Sequence, residues 1–211
     1  MPRADAASLF PIFLKLEGRP CLVVGAGAVA ESKIASLVAA GATVHVVAPR
    51  ASAVVHGLAS AGRITWEARA FKPRDLDGTL LVVVATADRS LNERVFQEAR
   101  RRGVLANVVD DPPRCDFYYP SVVRRGDLEI AISTNGHSPA LAQRLKRELE
   151  QQFTTEYADW IEDLGRKRRK LFRKTMDHER RRRLLHRLAA PEQFEAFRRG
   201  ARGKAGGNRA W

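Results

Sequence analysis

An α/β fold with a doubly wound parallel sheet is predicted by three features of this 211-residue sequence. Short apolar runs alternate with segments of helical periodicity. The runs "CLVV", "LLVVVA" and "VLANVV" are apolar nearly throughout rather than alternating, as expected of strands covered on both faces. The first of them enters Gly25-Ala26-Gly27-Ala28-Val29-Ala30, a G-x-G-x-x-A turn that opens a helical pattern.

The elements follow in order. Pro20 to Gly25 reads as a buried strand. Gly27 to Ala40 carries apolar residues at helical spacing and ends at Gly41. Thr43 to Val47 is a second strand, Ser52 to Ala61 a helix ending at Gly62, and Ile64 to Trp66 a short strand. Leu80 to Ala85 is a central strand, Asp88 to Arg102 a helix stopped by Gly103, and Val104 to Val109 another buried strand. Beyond Asp110 the pattern changes. "DDPPR" breaks the chain, and "FYYPSVVRRGDLEIAIST" reads as two antiparallel strands about a turn at Arg125-Gly126-Asp127. Ser138 suits an N-cap and Pro139 a first helical position. From Ala140 the chain reads as helical, with a last short helix from Pro191 and a Gly-rich basic tail too poor in apolar residues to order itself.

The net charge is +13, and from residue 151 onward 17 Lys and Arg face 8 Asp and Glu. Such an excess suits either an anionic partner or a solvated basic helical surface. Cys21 and Cys115 stand far apart, with no metal-ligand spacing and no disulfide framework, which fits a reducing cytoplasm. No signal-peptide pattern and no apolar run of membrane-spanning length is visible, so a cytoplasmic protein without membrane attachment is expected.

The glycine loop reads as a dinucleotide cradle. Gly25 permits the tight turn, Gly27 lets a pyrophosphate approach the backbone, and Ala30 lets helix and strand pack closely, with the phosphates at a helix N-terminus. The acid that usually holds the ribose hydroxyls is missing, because the second strand ends in Ala48-Pro49-Arg50. Arg50 favours a 2′-phosphate, while main-chain groups near Pro49 can still hold a ribose, so the residues alone leave NAD and NADP open. Thr86 follows the central strand where the nicotinamide half would pass, and Asp88 is a cap or a site residue. Asp110 ends a sheet strand at the edge where open α/β sheets bind ligands. It is a general base, a guide for a metal ion, or a turn-former. In "AISTNGHSPALAQRLK", Thr134, Asn135 and His137 lie in a Gly-containing turn before a helix. They suit either carboxylate binding or capping, and His137 is a metal contact or an exposed loop histidine. No resident metal site is expected.

Five stretches, "FPIFLKLEGRPCLVVGAGAVAESK", "VVAP", "ATADRSLNERV", "NVVDDPPRCDFYYPS" and "ISTNGHSPALAQRLK", in this order and spacing, resemble the siroheme synthase N-terminal family. The resemblance is strong over residues 8–150 and weaker beyond. It implies a Rossmann-like NAD-binding domain over 1–113, a small α+β dimerisation and substrate domain over 114–150, a helical domain over 151–199 and a basic tail over 200–211. Members are precorrin-2 dehydrogenases, often also sirohydrochlorin ferrochelatases. They lack the ribose acid and use NAD, which implies cofactor contacts at Ala28, Val29, Pro49 and Arg50. Asp110 matches the family's catalytic aspartate. Thr134 falls where bifunctional members carry a serine within S-S-G-G-T-S-P, so the hydroxyl is kept and a methyl added. The implied substrate is an octacarboxylate tetrapyrrole, with ferrous iron a substrate rather than a resident metal. A homodimer built on the middle domain is implied, with methylation left to another protein.

Three other readings stand beside the bifunctional enzyme: a dehydrogenase without chelatase activity, a non-catalytic NAD-sensing module, and a nucleic-acid binder acting through "GRKRRKLFRK" and "ERRRRLL". The sensing module has no use for "NVVDDPPRCDFYYPS" and "NGHSP". The basic stretches lack the aromatic interleaving of single-strand binders, which disfavours nucleic acid.

Overall fold

The computed structural model describes residues 9–206, with side chains to Gly200. They form two compact units that meet in sequence between Tyr119 and Pro120.

In the first unit, β1 (Pro20–Val24), β2 (Thr43–Val47), β3 (Thr65–Glu67), β4 (Leu81–Val84) and β5 (Leu105–Val108) form one sheet in the order β3-β2-β1-β4-β5. Every pairing is parallel, with Val24 opposite both Val47 and Val84. Alternate residues of the central strands feed opposite cores. Cys21, Val23, Leu81 and Val83 pack beneath α1 (Ala28–Ala39) and α2 (Ala53–Ser60). Leu22, Val24, Val82 and Val84 pack beneath α3 (Arg89–Arg102). This two-sided burial is why the strands are apolar throughout. The caps follow the sequence: the Ser52 hydroxyl accepts from the amide of Val55, the Asp88 carboxylate accepts from the amides of Ser90 and Leu91, and Gly103 ends α3 in the left-handed conformation.

The edge strand β5 does not lie bare. Residues 115–117 return along it, with an antiparallel bridge between Asn107 and Cys115. Asp116 donates its N–H to the carbonyl of Ala106 at 2.8 Å and accepts the Ala106 N–H on its carboxylate at 2.9 Å. These bonds satisfy edge groups that would otherwise be open to a foreign strand. They also place residues 114–119 with the first unit, whereas the sequence reading ends the first domain at 113.

In the second unit, β6 (Ser121–Arg125) and β7 (Leu128–Ile132) form an antiparallel hairpin about Gly126-Asp127. It packs with α4 (Pro139–Gln152) and α5 (Glu156–Phe172), followed by α6 (His178–Leu188) and α7 (Pro191–Gly206). Arg125 ties the hairpin to α4 by donating to the carbonyls of Glu150 and Phe153 at 2.9 and 2.7 Å. Hairpin and helices thus share one unit, where the sequence reading divides them at residue 150. The last helix is longer than expected: Phe194 packs on Tyr157 and Trp160, with ring centroids 4.1 and 4.9 Å apart. It anchors α7, which continues through Gly200, the expected start of a disordered tail, to Gly206. The remainder of that tail, residues 207–211, lies outside the described residues.

At the far sheet edge, Arg69 grips Asp75 with two nitrogens at 2.7 and 2.8 Å and Glu67 at 2.5 Å, and Glu67 also meets His45 at 2.8 Å. Burial by itself would raise the pKa of Asp75, but the Arg69 guanidinium and the Lys72 N–H hold it below its ordinary value. Its contribution to stability is therefore full above the ordinary carboxylate pKa and fades as pH falls through the depressed one. Arg69→Met leaves this carboxylate buried without its cation. The variant should lose more thermal stability at pH 7 than near pH 3, where the buried carboxylate that has lost its cation takes up a proton. Melting curves at the two pH values read this directly, and an equal loss at both would refute it.

Candidate nicotinamide dinucleotide site

The carboxyl ends of the parallel strands collect one group of predicted residues on one edge of the first unit. Neighbour by neighbour across that edge stand Pro49 and Arg50 after β2, the glycine loop after β1, Thr86 after β4 and Asp110 after β5. At about 4.8 Å per strand, Asp110 lies roughly 10 Å across the sheet from the glycine loop. The chain reverses its winding between β1 and β4, the place where doubly wound sheets open a ligand crevice.

Gly25 and Gly27 serve different ends. Gly25 has φ +107°, and a Cβ there would sit 2.3 Å from the carbonyl oxygen of Ala85. It is required by the packing of the loop itself. Gly27 has an ordinary extended conformation, and a Cβ there would meet nothing within 4 Å. Its lack of a side chain keeps open space in front of α1. No side chain caps that helix, so the amides of Ala28 and Val29 remain for an anion, while that of Ala30 donates to the Gly27 carbonyl at 2.9 Å, with the positive end of the helix dipole behind them. The loop is braced by Gly25 N–H donating to the carbonyl of Val47 at 3.0 Å and Ser52 N–H to that of Ala26 at 2.9 Å. These residues fit a dinucleotide pyrophosphate.

At the end of β2, Pro49 and Arg50 are exposed. Among the described residues the Arg50 guanidinium has no ion-pair partner. The nearby carboxylate of Glu67 is committed to His45 and Arg69, so it does not take the place of the missing ribose ligand. Thr86 is engaged locally: its hydroxyl lies 2.6 Å from Asn92 Oδ1 and accepts from the Asp88 N–H at 3.2 Å. What it turns toward the glycine loop is its methyl, 3.3 Å from where a Gly25 Cβ would stand.

The two adjacent aspartates part company. The Asp111 carboxylate accepts from Arg114 at 2.7 Å and helps build the turn. Asp110 is exposed, has no hydrogen-bond or ion-pair partner among the described residues, and adopts φ +61°. A non-glycine residue in this left-handed region costs on the order of 1 kcal/mol, and such strain concentrates at functional positions. Of the two, Asp110 is thus the unengaged carboxylate and Asp111 the structural one.

Thr134, Asn135 and His137 lie in the second unit and form a tight turn. Asn135 and Gly136 have φ +50° and +77°. The Thr134 hydroxyl accepts from the Ser138 N–H at 3.1 Å, and the Ser138 hydroxyl accepts from the Leu141 N–H at 3.2 Å to cap α4. His137 is exposed. Among the described residues no group of three or more His, Cys, Asp or Glu could hold a metal ion, and no helix is long and apolar enough to cross a membrane.

Residues 12–121 match a family model described as "Putative NAD(P)-binding", and residues 125–152 match one described as "Sirohaem biosynthesis protein central". The chain belongs to the siroheme synthase N-terminal family. Siroheme synthase 1 of Serratia proteamaculans is 44% identical over 156 residues, which are 74% of this chain and 33% of that protein. Siroheme synthase 1 of Cronobacter sakazakii is 48% identical over 140 residues, 66% of this chain and 30% of that protein. This family member therefore spans about a third of the length of these curated relatives. The solved structure "SirC, precorrin-2 dehydrogenase" superposes with a TM-score of 0.74 at 27% identity, over 91% of this chain and 98% of that one. The NAD(P)-binding match spans the glycine loop, and family membership supports a nicotinamide cofactor.

Sequence reasoning passed over Asn107, Cys115 and Arg114. Asn107 is the only buried polar residue among the described ones, and an Asn in the middle of "VLANVV" was a signal, because a polar side chain in a doubly covered strand needs a partner.

The two glycines separate stability from binding. Gly27→Asp should melt near the parent temperature yet lose dinucleotide binding, because its carboxylate enters the phosphate's place. Gly25→Ala should lose stability by about 3 kcal/mol or more through overpacking and a forbidden backbone conformation. Thermal melts with fluorescence titration check both, and tight binding by Gly27→Asp would refute the site.

Proposed function

We propose that this chain catalyses the NAD-dependent dehydrogenation of precorrin-2 to sirohydrochlorin, and also inserts ferrous iron to give siroheme. The observation that carries the reading is the pairing, on one sheet edge, of an uncapped glycine loop with a free, strained carboxylate at Asp110. The relationship to siroheme synthases and the likeness to a precorrin-2 dehydrogenase support the choice of substrate. When bound, NAD supplies the hydride acceptor.

Oxidation removes a hydride and a proton from the tetrapyrrole. A free carboxylate can take that proton directly or through water, and Asp110 is unengaged and solvent-facing. Asp111 cannot take it without giving up Arg114. Iron insertion releases two pyrrole protons, and the same carboxylate can accept them in turn, passing each to solvent, or draw the cation in. The first-turn amides of α1 hold the pyrophosphate, and Pro49 and Arg50 border the adenosine end. We assign NAD rather than NADP because the family uses it without the ribose acid. Thr134, Asn135 and His137 are assigned to the substrate's carboxylates, which a chain of net charge +13 attracts.

We also propose that the enzyme is a cytoplasmic homodimer. Phe10, Ile12, Phe13 and Leu14 form an apolar stretch that is 44–84% exposed in the single chain, the kind of surface a second copy covers. Light scattering at micromolar concentration should read the mass of two chains, and a monomer would refute this part.

The decisive experiment incubates the purified protein with precorrin-2 and either NAD or NADP, then adds ferrous ion and follows the absorption spectra. Sirohydrochlorin should form faster with NAD, and siroheme after iron. Asp110→Asn should slow both steps by about a hundredfold or more, the usual yield of general acid–base catalysis, with NAD affinity unchanged. Near-parent rates in Asp110→Asn would remove this residue from the mechanism, and loss of the iron step alone would show that dehydrogenation needs no base there.

A further inference from the structure

The residues around Asp110 are tied more firmly than a surface turn requires. The Asn107 side-chain amide donates to the Phe117 carbonyl at 2.7 Å and to Cys115 Sγ at 3.4 Å. Cys115 Sγ lies 3.1 Å from the carbonyl of Val108 and 3.3 Å from that of Asp111. Those two carbonyls stand on either side of Val109 and Asp110. Arg114 pairs with Asp111 at 2.7 Å and, from the other side, with Glu93 of α3. The donors are fully used: the amide has two hydrogens and two acceptors, and the thiol accepts one hydrogen while its own is shared between two carbonyls.

We propose that Asn107 and Cys115 are positioning residues, a strap of one buried and one half-buried side chain that closes the turn on both sides of Asp110 and holds its backbone in the left-handed conformation that presents the carboxylate to the crevice. This rests on the assignment of Asp110 as the acid–base group. The strap runs Asn107 N–H to Cys115 Sγ and on to Val108 and Asp111, so it fastens the backbone before and after Asp110 without touching the Asp110 carboxylate. That side chain is left free to react while its backbone is not free to relax. Burial pushes the Cys115 thiol above its ordinary pKa, which keeps the proton on sulfur and the donor in place. Glu93 extends the fastening to α3, so the turn is referenced to the rigid body of the sheet and not to solvent.

The test is a double-mutant cycle on the full chain, measuring kcat for dehydrogenation, KM for NAD and thermal stability. Cys115→Ala removes the thiol donor and should lower kcat by about tenfold to a hundredfold, the scale of a displacement of about 1 Å at a reacting group. KM for NAD should stay at the parent value, because the glycine loop is untouched. Cys115→Ser restores a donor and should recover most of the rate. In the Asp110→Asn background, Cys115→Ala should cost nothing more, because the strap acts only through that carboxylate. Asn107→Ala, which removes the other half of the strap, should mimic Cys115→Ala in kcat. A Cys115→Ser variant as slow as Cys115→Ala, or an equal loss from Cys115→Ala in both backgrounds, would overturn the strap while leaving Asp110 catalytic. Parent-like activity of Asp110→Asn would overturn the assignment on which the strap rests, and the strap with it.

Discussion

The close approach of Gly25 to the carbonyl of Ala85 is the constraint on which the rest of the first unit depends. It joins the exits of β1 and β4, the adjacent strands between which the winding reverses. A side chain at Gly25 would push the two loops apart. The glycine loop would then no longer sit over α1 with its amides exposed, and the ends of β2 and β5 would lose their common edge. The chemistry assigned to this chain needs that edge, because a phosphate cradle and a proton acceptor are useful together only when one rigid sheet sets their separation.

Electrostatics sorts the acids and bases on that edge more sharply than their identities do. Two aspartates stand side by side, yet one is held by Arg114 and the other is free. Glu67, beside the end of β2, is consumed by His45 and Arg69. Some of the basic charge of the C-terminal helices is likewise engaged along the helices, in pairs such as Arg166 with Glu162 and Lys167 with Asp163, and in the stacking of Arg168 and Arg181 on Phe172. Part of the positive balance is therefore a solvated helical surface rather than a binding face, which was one of the two readings open from composition.

The elements of the first unit were legible because each rests on local physics. Apolar strands, helix caps at Ser52 and Asp88, and the stop at Gly103 are all set within a few residues of where they act. The glycine loop was legible for the same reason, since a tight turn between strand and helix admits few residues. Less legible was the end of the chain. Gly200 reads as a breaker, yet α7 passes through it, because the contact of Phe194 with Tyr157 and Trp160 anchors the helix from another part of the chain.

By itself, the sequence determined the α/β class, the order of the strands along the chain, the tight turn at Gly25 to Ala30 and the candidacy of Asp110. Only the tertiary structure decided which of Asp110 and Asp111 is free, that the Thr86 hydroxyl is spent on its own turn, and that residues 114–119 belong with the sheet. The reason is common to all three. Each depends on which of several possible partners a side chain reaches once folded, as with Thr86 and Asn92, Asn107 and Phe117, and Arg114 with both Glu93 and Asp111. A residue's type states what it can bond to, and only the folded chain states what stands within reach.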